Sequence, residues 1–104
     1  SMSGGSLTIT SSGDGGKGIR CDQNVEFSGG TLVVKTTGDN DVSKPKGIKS
    51  DTGIIVSGGS FSVSVNKSWA CDNGSESEVP SAQLTVLGTP ASWSIEKKKV
   101  VITY

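Results

Sequence analysis

One six-residue phrase is written three times along this chain: "KGIRCD" from Lys17 to Asp22, "KGIKSD" from Lys46 to Asp51 and "KSWACD" from Lys67 to Asp72. Each copy follows a run "SGG", and these runs open at Ser3, Ser28 and Ser57, 25 and 29 residues apart. A degraded copy, "LGT", opens 30 residues later at Leu87. Repetition at this period constrains the fold more than any composition does, because a repeat this short buries its apolar side chains only against its neighbours.

Superimposed, each repeat holds three short segments in which apolar residues alternate with others. Leu7 and Ile9 fall on Leu32 and Val34 and on Phe61 and Val63, with Thr8, Val33 and Ser62 between them. Ile19 and Cys21 fall on Ile48 and Ser50 and on Trp69 and Cys71; Val25 and Phe27 fall on Ile54 and Val56 and on Leu84 and Val86. A period of two is the mark of a strand whose successive side chains face opposite ways. No segment shows the 3.6-residue period of an amphipathic helix. Three strands per repeat, joined by glycine corners and polar turns, predict an all-β chain wound as a single-stranded parallel β-helix, a solenoid of about three to four short coils. The coils are expected near residues 3–27, 28–56 and 57–86, with a C-terminal cap at 87–104, as one domain over 1–104. The inward rows form one stacked core, and the tail "KKKVVITY" reads as a closing strand that blunts the sheet edge.

The chain has 104 residues, 15 of them glycine, with 32% hydrophobic residues, so only a narrow core is available. Ten basic residues balance ten acidic ones, which argues against general nucleic-acid binding. The absence of histidine removes the usual general base and any Ser/His or Cys/His nucleophile pair, and the chain reads as a non-enzyme. No stretch is long and apolar enough for a membrane-spanning helix, so membrane insertion is not expected. Ser1 and Met2 read as a cloning remnant ahead of a repeat that starts at once, with sequence expected upstream. Cys21 and Cys71 fall two coils apart, beyond the Cα separation a disulfide allows, so both are expected to be reduced thiols.

The runs "GGTLVVKTTGD" and "KPKGIKSD" with the returning "SGG" resemble a calcium-dependent, polysaccharide-lyase-like β-helix family. These are bacterial secreted proteins described as carbohydrate-binding domains, common in gut Bacteroidetes and in clostridia. The resemblance covers Gly4 to Gly59 best and weakens after Asn66, where Ser68 and Trp69 replace the Gly-Ile pair. It implies a right-handed helix, an extracellular or cell-surface location, affinity for acidic or plant-type polysaccharides, and calcium on the loops.

The residues themselves offer three candidate sites. With Ile19 and Ile48 inward, Lys17, Lys46 and Lys67 lie near one corner while Arg20 and Lys49 point outward with Ala70. A basic double row of this kind suits an acidic glycan, and the planar fork of Arg20 suits a uronate carboxylate. The plainer reading pairs these cations with Asp22, Asp51 and Asp72 on a solvated face. Trp93 is a candidate for stacking on a sugar or for lying under the cap, whereas Trp69 reads as core. Asp14, Asp39 and Asp41 supply hard oxygen ligands for calcium on polar loops, or are solvated turn acids. The expected function is a non-catalytic carbohydrate-binding module with a polysaccharide partner. The alternative is a structural or adhesive segment of a larger surface protein, with end-to-end self-association through the exposed N-terminal coil.

Overall fold

The computed structural model describes residues 2–12, 17–21, 25–38, 46–50, 53–66, 70–72 and 84–104. The three segments of each repeat form three separate sheets. Strands β1 (Ser6–Ser11), β4 (Thr31–Thr36) and β7 (Ser60–Val65) pair in parallel, with Leu7 opposite Leu32 opposite Phe61 and Ile9 opposite Val34 opposite Val63. Strands β2 (Lys17–Cys21), β5 (Lys46–Ser50) and β8 (Cys71–Asp72) form the second sheet. Strands β3 (Val25–Phe27), β6 (Ile54–Val56) and β9 (Leu84–Val86) form the third. Among the described residues there is no helix.

The chain is all-β, but the expected single-stranded, right-handed parallel β-helix does not hold. Two further strands, β10 (Ser92–Ile95) and β11 (Lys99–Thr103), complete a mixed five-stranded sheet in the order β1-β4-β7-β11-β10. Strand β11 runs antiparallel to β7, with Val100 opposite Val63 and Ile102 opposite Phe61, and β10 runs antiparallel to β11. The physical reason lies in the β10–β11 connection: a tight hairpin, closed by Glu96 N–H donating to the Lys99 carbonyl at 2.9 Å, makes these two strands antiparallel, and β11 lies between β10 and β7 and runs against both. Alternation alone does not encode strand direction, because the side-chain period is two in both cases.

The core is a stack of like rows. Phe27, Leu32, Val34, Ile48, Ile54, Val56, Phe61, Val63, Val100 and Ile102 are buried, and the Phe27 and Phe61 rings meet at 5.6 Å between centroids, tilted by 54°. Full burial of such side chains contributes roughly 1.5–3 kcal/mol each. The outer rows are thinner than expected. Leu7 is 43% exposed, although its row mates Leu32 and Phe61 are buried, because β1 is an edge strand of the sheet. Ile9, Ile19, Val25, Leu84 and Val86 are only partly buried against the core.

The repeated Lys-Gly-Ile phrase has a packing explanation. A Cβ on Gly18 would overlap Val34 Cγ1 and lie 2.8 Å from the Gly47 carbonyl oxygen; one on Gly47 would overlap Val63 Cγ1 and lie 2.7 Å from the Ala70 carbonyl oxygen. The glycine is what lets the second sheet press against the valines of the first. At the third copy of the phrase the register is corrected. Cys71 stands opposite Ile48 and Asp72 opposite Lys49, where the sequence alignment had put Trp69 and Ala70. Ile48 N–H donates to the Ala70 carbonyl at 2.8 Å, and Ala70 is fully buried instead of facing outward. Alanine, the smallest residue with a Cβ, therefore follows the two glycines. Trp69 lies outside the described residues.

Two polar side chains close the corners inside this packing. The Thr36 hydroxyl donates to the Lys46 carbonyl at 3.0 Å, and the Ser50 hydroxyl donates to the Gly53 carbonyl at 2.7 Å while accepting from Gly53 N–H at 3.0 Å. Both side chains are buried, so these bonds satisfy groups that would otherwise be desolvated without a partner.

Candidate functional site

The outward side of the second sheet carries a short basic column. Arg20 and Lys49 are direct partners in the parallel register of β2 and β5, which puts their Cα atoms about 4.8 Å apart. Arg20 is exposed and Lys49 half-buried. Along the backbone the residue paired with Lys49 on the next strand is Asp72.

Of the expected Lys row, only part is brought to this place. Lys17 stands opposite Lys46 along the backbone. Lys46 itself is buried, at 6% exposure, which corrects its placement on an exposed corner. Lys46 shares its parity in β5 with the buried Ile48 and Ser50, so the period of two sets it on their face, and Gly47 between them packs against Val63. Lys67 lies outside the described residues, as do Asp14, Asp39 and Asp41, the acids expected to hold calcium. Among the described residues, no three acidic or cysteine side chains come together in a metal-binding group.

Trp93 is 65% exposed. It lies on β10 opposite the buried Ile102, on the side of the sheet that faces the core in neighbouring strands, but the edge strand extends past anything that could cover it. Of the two readings, sugar platform or residue under the cap, exposure leaves the first available.

A second surface was not singled out from the sequence. On the outward face of the five-stranded sheet, Ser6, Thr31 and Ser60 stand side by side, and Thr10, Lys35, Ser64 and Lys99 form a parallel row at the far end of the strands. The signal was present in the residues between the core positions: Ser6, Thr8 and Thr10 in "SLTIT" and Ser60, Ser62 and Ser64 in "SFSVS" are all hydroxyls, with Thr31, Val33 and Lys35 between them in "TLVVK". Alternation sends these hydroxyls outward as strictly as it sends the apolar residues inward. Both surfaces present rungs at one regular spacing, a geometry matched to an extended polymer.

Comparison with known protein families gives a match over residues 1–86 to the family described as "carbohydrate-binding domain-containing protein". The match ends at Val86, the last residue of β9. No curated protein and no solved structure matches the chain. Among the described residues, no helix is long and apolar enough to cross a membrane.

Proposed function

Because the chain belongs to the carbohydrate-binding domain family, we propose that it is a non-catalytic, extracellular module that holds an acidic polysaccharide along the Arg20–Lys49 column. The observation that carries this reading is the rung itself: two cationic side chains, in register on adjacent parallel strands and open to solvent to different degrees. A polyuronate presents carboxylates at regular intervals along an extended chain. The guanidinium of Arg20 offers a bidentate fork to one carboxylate, and the Lys49 ammonium offers a point charge to the next. Each contact is weak on an exposed surface, but contacts on one polymer reinforce each other through effective concentration. Lys46 plays no part in this reading because it is buried. Calcium held by Asp14, Asp39 and Asp41 belongs to the proposal on sequence grounds alone.

The exposure of Trp93 favours a second reading, in which a neutral glycan stacks on the indole ring. The two separate cleanly in a pull-down against insoluble polyuronate and insoluble neutral glucan. Loss of polyuronate retention in Arg20→Glu, with Trp93→Ala retained as well as the parent, supports the acidic ligand. Retention on neutral glucan that disappears only in Trp93→Ala replaces it with the stacking reading.

A further inference from the structure

The outward face of the five-stranded sheet changes in height from strand to strand. The middle strand, β7, sends out only serines, and its neighbours β4 and β11 send out larger side chains on both sides of them. Because β11 runs against β7 while β4 runs with it, the outward residues of "KVVIT" are read in reverse, and like stands across from like. Ser60 lies between Thr31 and Thr103, Ser62 between Val33 and Val101, and Ser64 between Lys35 and Lys99. Strands β1 and β10 also send out short hydroxyl side chains, but each is a sheet edge with a neighbour on one side only.

The result is a shallow trough along β7, with walls two strands, or about 9.6 Å, apart. Its serines are half-buried although they point outward, while Thr31, Val33, Lys35 and Lys99 are exposed, as a floor between taller walls requires. From Ser60 to Ser64 the trough is about 13 Å long, the advance of about two or three linked pyranose rings.

The rungs differ in chemistry. At one end, Lys35 and Lys99 flank the Ser64 hydroxyl, two cations and a neutral donor for a single anion. Glu96, in the hairpin, lies beyond Lys99 on the side away from Ser64. In the middle, Val33 is 37% exposed and Val101 half-buried, so apolar walls stand where a sugar ring presents its C–H groups. A second carboxylate at this rung would lose water between two valines and gain no partner, which disfavours a chain charged on every ring. At the other end only hydroxyls remain, suited to hydrogen bonds with uncharged sugars.

We propose that this trough is a second glycan site, on a different sheet from the Arg20–Lys49 column, and that it takes a neutral oligosaccharide capped by one uronic acid. The carboxylate sits at Lys35, Ser64 and Lys99, and the uncharged rings run over Ser62 towards Ser60. The class of ligand rests on the acidic-glycan reading; the place does not. One wall, β11, lies outside residues 1–86, so membership of the family does not by itself supply the site.

Calorimetric titration with three tetrasaccharides tests it: a neutral one, the same one with its terminal ring oxidised to a uronic acid, and a tetrauronate. We expect the parent to bind the capped tetrasaccharide at least about tenfold more tightly than the neutral one. Lys35→Gln with Lys99→Gln should remove that preference, and Ser62→Ile, which fills the floor, should abolish binding of both. The protein carrying Arg20→Glu and Lys49→Glu should keep the capped tetrasaccharide and reject the tetrauronate. Val33→Lys, added to that protein, replaces an apolar wall with a cation and should restore tetrauronate binding, a gain that a misfolded variant could not show. Equal affinity of the parent for the capped and neutral ligands, or none for either, would overturn the proposal. So would a preference that survives the double lysine substitution, or one lost with Arg20 and Lys49. If tetrauronate binds no protein while the capped ligand behaves as expected, the column reading falls and the trough stands.

Discussion

Arg20 and Lys49 face each other across the β2–β5 ladder as like charges on adjacent rungs. Direct cross-strand neighbours of the same sign destabilise a sheet modestly, and opposite signs contribute about 0.2–1 kcal/mol. Arg20→Glu therefore leaves the fold intact and raises the unfolding free energy by up to about 1 kcal/mol, measured by urea denaturation. The same substitution is expected to remove the proposed polyuronate binding, so stability and binding should move in opposite directions.

Gly47 lies against Val63 and the Ala70 carbonyl with no room for a methyl group. Gly47→Ala is expected to lower stability by about 1–3 kcal/mol, the usual penalty of overpacking. Gly4→Ala, where the added methyl meets open space, is expected to stay within about 0.5 kcal/mol of the parent. Parallel urea titrations of the two variants check both values.

Tyr104 pins the closing hairpin to the third sheet. Its hydroxyl lies between the carbonyls of Val56, at 3.1 Å, and Leu87. Tyr104→Phe keeps the ring and removes the hydroxyl, for an expected loss of about 0.5–1.5 kcal/mol. Ile102→Ala, on the fully buried side of β11, is expected to cost about 2–5 kcal/mol. Thermal and chemical unfolding of the two variants should rank them in that order.

Cys71 is buried and lies outside any disulfide. In the native protein it is expected to react slowly with a thiol reagent, and on unfolding to react at the rate of a free cysteine. Rapid modification of the native Cys71 would contradict the β5–β8 register that buries it.

Much of the arrangement can be read from the sequence because the apolar rows recur at fixed offsets: Leu7, Leu32 and Phe61 meet as the repeat requires. Three things cannot be read in that way. The direction of β11 is one, since "KVVIT" alternates identically in a parallel or an antiparallel strand. The third copy of the phrase is another. Without its Gly-Ile pair, "KSWACD" aligns on its lysine and its Cys-Asp ending, whereas the ladder aligns it by the small residue, Ala70 beside Gly47. Lys46 is the third, because its charge argues for solvent although the period of two puts it on the same face as the buried Ile48 and Ser50. The Arg20–Lys49 rung was legible, since both residues follow the isoleucines of β2 and β5. The hydroxyl rows of the large sheet were overlooked because they lie in the gaps of the apolar pattern.

The central claim is that an acidic glycan is held by charge on the Arg20–Lys49 column, and the most direct test is the salt dependence of its affinity. Calorimetric titration of soluble polyuronate is carried out at ionic strengths from about 10 mM to about 150 mM, a range over which the Debye length falls from roughly 30 Å to 8 Å. Affinity should fall steadily across that range for the parent and be undetectable throughout for a protein carrying both Arg20→Glu and Lys49→Glu. Affinity that does not change with salt, or a doubly reversed variant that binds as well as the parent, would contradict the account.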